Sequence, residues 1–149
     1  YKEKQKCIKQ IGKVSNLAFY RLREGQITAS DSFTNIGGLF GQSTTSSIQV
    51  PSSSTSIVQI IASVATDSAA NGVTTFGCQI SGDGLSSGQE TFTIGGAGVD
   101  GTPASNGQTV MPMVLDVNIP VVASNQVSVA CAMSGDTGTC EAAITLVFQ

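Results

Sequence analysis

From about residue 45 to the end, the chain repeats one pattern: a run rich in Val, Ile, Thr or Phe, then a cluster of Gly, Asn, Asp, Ser or Pro. The runs are 47–50, 57–65, 73–80, 90–94, 110–119, 127–133 and 142–148. Alternation is clearest in the fifth, where Met113, Leu115, Val117 and Ile119 share one parity and Val114, Asp116 and Asn118 the other. Ile144, Leu146 and Phe148 repeat that spacing in the last run. A period of two places such residues on one face of a strand, because successive side chains point to opposite sides of a sheet. The punctuation is dense: Ser81-Gly82-Asp83-Gly84, Gly95-Gly96-Ala97-Gly98, Asp100-Gly101-Thr102-Pro103 and Asn106-Gly107. Short strands separated by turn residues predict an all-β antiparallel sandwich or barrel and exclude βαβ units. With one or two more strands between Asn16 and Phe33 the count reaches about eight, which fits a single jelly roll.

The segment before this body reads differently. Ile8, Ile11, Ala18 and Leu22, with Cys7 and Val14 beside them, recur at helical steps, and most of the lysines fall elsewhere on the wheel. Gly12 costs such a helix about 1 kcal/mol relative to Ala. The favoured reading is a short helix to about Lys13, then a strand from Leu17 to Leu22 and a hairpin at Glu24-Gly25-Gln26. Residues 35–55 are rich in Gly, Ser and Thr and read as a linker and long loop, with Phe40 as an anchor. The expected organisation is an arm with the first strand or strands over 1–34, the loop and first body strand over 35–55, and a sandwich body over 45–149.

Charge sharpens this division. All seven Lys and Arg residues (Lys2, Lys4, Lys6, Lys9, Lys13, Arg21 and Arg23) lie in the first 23 positions. With Glu3 that segment carries +6, whereas the remainder holds nine carboxylates and no cation, giving the stated net charge of −3. Such asymmetry predicts a cationic arm that seeks an anionic partner: nucleic acid, an anionic lipid surface, or the acidic body of another copy. The plain alternative is a solubilising tail. Charged residues make up 11% of the chain, under half the usual share of about 25%. Small neutral polar residues replace them, a surface that suits an extracellular or particle-bound protein. No apolar run approaches the roughly 18 residues needed to span a bilayer as a helix.

The chemistry available is narrow. Without histidine, Ser-His-Asp triads, Cys-His pairs and mixed Cys/His zinc sites cannot be assembled within one chain. Lysine is confined to the arm, which removes Ser-Lys and Schiff-base chemistry from the body and leaves the Gly95–Gly98 run without a phosphate-loop lysine. Paired carboxylates for glycoside hydrolysis remain open by residue type, but the body lacks the aromatic platforms of a sugar cleft. Catalysis, cofactors and small-molecule substrates are therefore not expected. Cys78-Gln79-Ile80-Ser81-Gly82-Asp83 recurs as Cys131-Ala132-Met133-Ser134-Gly135-Asp136. The plain reading is two equivalent turns; the functional one is Asp83 and Asp136 converging on Ca²⁺, although no EF-type spacing is present. Cys131 and Cys140 flank a turn-like stretch. Either they close a cross-hairpin disulfide, which needs Cα atoms within about 7 Å, or alternation sends them to opposite faces as buried thiols.

A strand-rich body behind a basic, partly helical arm resembles the single jelly-roll capsid and capsid-decoration proteins of viruses. The resemblance is architectural, spans the whole chain, and rests on the Lys/Arg set of the arm. It implies a non-enzymatic, self-assembling virion subunit whose arm docks on genome, membrane or neighbouring subunits through Lys2, Lys4, Lys6, Lys9, Lys13, Arg21 and Arg23. Ile8, Ile11, Val14, Leu17, Phe19 and Leu22 would form the apolar assembly face. The alternative is a pilus-like extracellular filament in which the Val14–Leu22 stretch adds a strand to the next subunit, an open heterologous contact. A lectin-like module is disfavoured by the absence of Trp. Either leading reading places the protein on a virion or an extracellular surface, with its own copies as partners.

Overall fold

The computed structural model describes residues 17–28, 30–37, 46–66, 75–95, 109–134 and 139–149. They form nine strands and, among the described residues, no helix: β1 (Phe19–Thr28), β2 (Ser30–Asn35), β3 (Ser47–Gln49), β4 (Ser56–Thr66), β5 (Thr75–Ser81), β6 (Gln89–Gly95), β7 (Thr109–Pro120), β8 (Gln126–Ser134) and β9 (Thr139–Phe148). The helix expected through Lys13 lies outside the described residues. The strands make two antiparallel sheets. One has the order β1-β9-β4-β7; the other runs β2-β8-β5-β6, with β3 continuing the β2 edge of β8.

Alternation drives the layering. In β9, Ala142, Ile144, Leu146 and Phe148 are fully buried, and in β8 Val127, Val129, Cys131 and Met133 are as well. These inward rows, with Ile57, Ile60, Ala62 and Val64 from β4 and Phe76, Cys78 and Ile80 from β5, make one core cluster drawn from both sheets. Removing a buried phenyl such as Phe148 from a core of this kind costs about 3–5 kcal/mol. Met113, Leu115 and Val117 pack against the core from β7, as their spacing predicts. Pro112 and Pro120 are tolerated there because β7 is an edge strand, paired among the described residues with β4 alone.

The pairings nest. β1 pairs β9, β2 and β3 pair β8, β4 pairs β7, and β5 pairs β6. The chain is thus a long two-armed ribbon whose tip is 82–88, and the further pairs β4·β9 and β5·β8 close it sideways into two sheets.

One local expectation changes. No hairpin forms at Glu24-Gly25-Gln26; β1 runs through it, opposite Ala143, Ala142 and Glu141. Gly25 serves close packing rather than turning, since a Cβ there would stand 3.0 Å from Ile36 Cβ. In the described part of the stretch 35–55, β3 lies at Ser47–Gln49, Ile36, Ile48 and Val50 are buried, and Ile36 N–H donates to Val129 O at 3.0 Å.

Candidate functional site

Two surfaces gather around β1. The first is a cleft at the open side of the molecule. Odd-numbered residues of β1 face inward, as buried Ile27 and the packing of Gly25 on Ile36 establish. That parity turns Arg21 and Arg23 toward β3 of the other sheet. Arg23 Nη2 donates to Ser47 O of β3, and its Nη1 to Leu22 O at 2.8 Å, so this guanidinium ties the two sheets at their rim. Burial, and then the neighbouring Arg21 charge, lower the pKa of Arg23, though an arginine so placed stays cationic. Arg21 lies over the Phe19 ring, 5.8 Å from its centroid, and donates to Tyr20 O at 3.0 Å. Together with Ile48, Gln49, Val50, Pro51, Ser52 and Ser124 the two arginines line a cleft of about 340 Å³ whose described lining residues include no carboxylate.

The second surface is the outer face of the β1-β9-β4-β7 sheet. Cross-strand register aligns Leu22, Thr145, Ile61 and Val114 in one row, and Tyr20, Val147, Gln59 and Asp116 in the next. Tyr20 is 60% exposed, Val114 54% and Leu22 36%. Gln59 Nε2 donates to Asp116 Oδ1 at 2.9 Å across the β4–β7 pair. Glu24, next to Ala143, and Glu141, next to Ala65, extend the same face. The result is an apolar band flanked by three carboxylates, and its described positions include no lysine or arginine.

The expected docking residues are thus divided. Lys2, Lys4, Lys6, Lys9, Lys13, Ile8, Ile11 and Val14 lie outside the described residues. Arg21 and Arg23 share the cleft, Leu22 faces outward, and half-buried Phe19 packs against the core. Leu17 is exposed just before β1. Alternation along a strand sends residues 19 and 22 to opposite sides, so they form no common face. Val147, in the Tyr20 row, is buried. The sequence reading missed Tyr20, Ile61 and Val114. Its available signal was the unbroken apolar runs Ile60-Ile61 and Leu146-Val147-Phe148, where a half-solvated strand should show polar residues at alternate positions.

Of the two alternatives for Cys131 and Cys140, the structure has both as buried free thiols. β8 and β9 belong to different sheets, so Cys131 and Cys140 are not partners across one ladder. Cys140 Sγ instead meets Met133 Sδ at 2.7 Å, while Cys131 stands in register with Cys78 of β5. Asp83 caps the ribbon tip: its Oδ1 accepts from Gln126 N–H at 3.2 Å, and its carbonyl from Asn125 Nδ2 at 3.1 Å. Asp136 lies outside the described residues. Among the described residues, no three His, Cys, Asp or Glu side chains gather at metal-binding distance.

No family model matches the chain, and no curated protein matches it. Solved structures similar to it include the acidic stable capsid of Helicobacter pylori bacteriophage KHP30, 13% identical with a TM-score of 0.41, covering 89% of this chain and 92% of that one. Another is from the Bacillus endospore appendages, described as a family of disulfide-linked pili, at 12% identity and a TM-score of 0.34, covering 89% and 88%. A third is the infectious bursal disease virus Gt strain structure, at 15% identity and a TM-score of 0.40, where the match covers 89% of this chain but 33% of that one. At these values the resemblance is one of overall outline, and no residue of this chain takes a role from it.

Proposed function

We propose that the chain is a non-enzymatic structural subunit, a single jelly-roll capsid or capsid-decoration protein that assembles with its own copies on a virion. The nested ribbon, rolled into sheets of order β1-β9-β4-β7 and β2-β8-β5-β6, supports the jelly-roll reading. One observation carries the assembly reading: the outer face of the first sheet pairs an exposed apolar band with Glu24, Asp116 and Glu141, while every lysine of the chain lies in residues 1–13. Of the three anionic partners expected for the arm, a neighbouring subunit is the one for which the molecule itself carries a matching surface. The occupant of that face is residues 1–16 of a second copy, its lysines meeting the carboxylates and Ile8, Ile11 and Val14 meeting Leu22, Ile61 and Val114.

An extracellular filament is the second reading, favoured by the position of β1. Among the described strands it is an edge with one partner, β9, and it follows the arm directly. Delivered to the next subunit's β9 it would build an open fibre.

Electron microscopy and sedimentation of the full chain, a chain lacking residues 1–16, and the exposed-face variant Val114→Lys test the proposal. The full chain should form particles at low salt that loosen as salt rises, and both variants should stay monomeric and folded. Fibres would favour the second reading. A full chain that is monomeric at every salt concentration, at the highest soluble protein concentration, would overturn both.

A further inference from the structure

The core contains a thiol pair to which the assembly reading gives no task. Cys78 of β5 and Cys131 of β8 are directly opposed in an antiparallel pair, between Phe76↔Met133 and Ile80↔Val129. Directly opposed residues project to the same side of the sheet with Cα atoms about 4.5–5.5 Å apart, inside the 4.4–6.8 Å range of disulfides. Both side chains are fully buried in the shared core. The Cys131 thiol as hydrogen-bonding neighbour, followed by burial, raises the pKa of Cys78. A thiol held protonated is a poor nucleophile, so the folded pair is chemically quiet.

We propose that Cys78 and Cys131 are a disulfide-forming pair whose redox state is set while the chain folds and is then sealed by the closing sheets. The oxidant is a low-molecular-weight disulfide of the glutathione kind. While β5 and β8 are still open to solvent, the thiolate of one cysteine attacks the oxidant, forming a mixed disulfide and releasing one thiol. The second cysteine then attacks the protein sulfur of that mixed disulfide, forming the Cys78–Cys131 bond and releasing the second thiol. The oxidant takes both electrons and both protons, and nothing else is consumed. Closure of the β1-β9-β4-β7 sheet over the bond shields it from reductant, just as it shields a reduced pair from oxidant.

The full wild-type chain is unfolded, then refolded in a mixture of oxidised and reduced glutathione or in dithiothreitol alone. Thiols are counted under denaturing conditions, and a non-reducing peptic digest is mapped by mass. Of the four cysteines, two should lose their reactivity after refolding in the glutathione mixture, with Cys78 and Cys131 in one linked peptide. Protein folded in dithiothreitol and then moved to the same mixture should keep both thiols for as long as it remains native. Four reactive thiols after oxidative refolding, or a link joining any other pair, would overturn the proposal. Rapid oxidation of the native protein would overturn the sealing step. None of these outcomes depends on whether the subunit assembles.

Discussion

Three glycines at the ribbon tip separate two reasons for having glycine, and their alanine variants give an ordered prediction. Gly88 has φ +78° and open space around it; an added Cβ meets nothing within 4 Å. Gly88→Ala therefore pays only left-handed backbone strain, about 1–2 kcal/mol, less the smaller entropy gained by restricting the unfolded chain, for a net cost of about 1 kcal/mol. Gly84 is crowded instead: its Cβ would lie 2.8 Å from both Gln126 O and Val127 Cγ1. It cannot move aside without loss, because its N–H donates to Gln126 O at 2.8 Å and its carbonyl accepts from Val122 N–H at 2.9 Å. Overpacking against backbone costs about 1–3 kcal/mol, and a shift that breaks either bond adds about 1, so Gly84→Ala should lose about 2–4 kcal/mol. Gly82 combines φ +128° with a Cβ 2.5 Å from Gln126 O, and its replacement should cost about 3–5 kcal/mol. Total stabilities are about 5–15 kcal/mol, so the last change removes a large share. Urea unfolding at constant slope reads the three differences directly. A Gly84→Ala variant no less stable than Gly88→Ala would refute the account of the tip as a junction pressed against the start of β8.

The remaining predictions concern the thiols and the outer face. Linking Cys78 to Cys131 closes a span of 53 positions, so the oxidised protein should exceed the reduced one by about 4 kcal/mol in chain-entropy terms; equal urea midpoints would refute it. In the reduced protein Cys78 has a raised pKa, so above its ordinary value of 9.0 the unfolded state loses a proton that the folded state keeps. Stability should therefore fall above about pH 9, by up to about 1.4 kcal/mol per pH unit, and titration of the Cys78→Ser variant should show the loss removed. Tyr20→Lys and Val114→Lys should each change stability by less than about 0.5 kcal/mol while abolishing assembly, as measured by denaturation and sedimentation in parallel.

What the sequence made legible was periodic; what it hid was non-local. Alternation in Met113–Ile119 and Ala142–Phe148 identifies inward faces because a strand's period is a local property. Gly25 was misread because a glycine that admits a neighbouring strand and a glycine that permits a turn are the same letter. Ile36 stands alone among Thr, Asn and Gly, so no window registers it as apolar, yet it fills a place in the shared core. The cysteines show the limit most clearly. Cys131 and Cys140 are close in sequence and invite a hairpin, but their strands lie in different layers. The true neighbour, Cys78, is reached only through the nested register. Likewise the outer-face band joins residues 20, 22, 61 and 114, which nothing short of the strand order brings together.

That strand order also makes β1 the most detachable part of the body. In a nested ribbon the tip pairs β5 with β6 across a short loop, whereas β1 meets β9 only across nearly the whole chain, and closing the longer loop costs more entropy. β1 is also an edge strand, so losing it breaks one ladder. The lack of lysine or arginine after Arg23 turns this into a clean measurement, since trypsin can create a 24–149 fragment only by cutting inside β1. Cleavage there needs β1 to leave β9 and Arg23 to release Ser47 O. The Arg23→Lys variant keeps the cut site and loses the planar fork that ties β1 to β3, so it should release the fragment several-fold faster, a change of about 1 kcal/mol in the opening equilibrium. In the assembled state, release should slow for both proteins if a neighbour's arm lies across Leu22 and Tyr20. Fragment release that is equally fast in assembled and dissociated protein would mean the outer face of β1 stays uncovered, and would remove that face from the assembly contact.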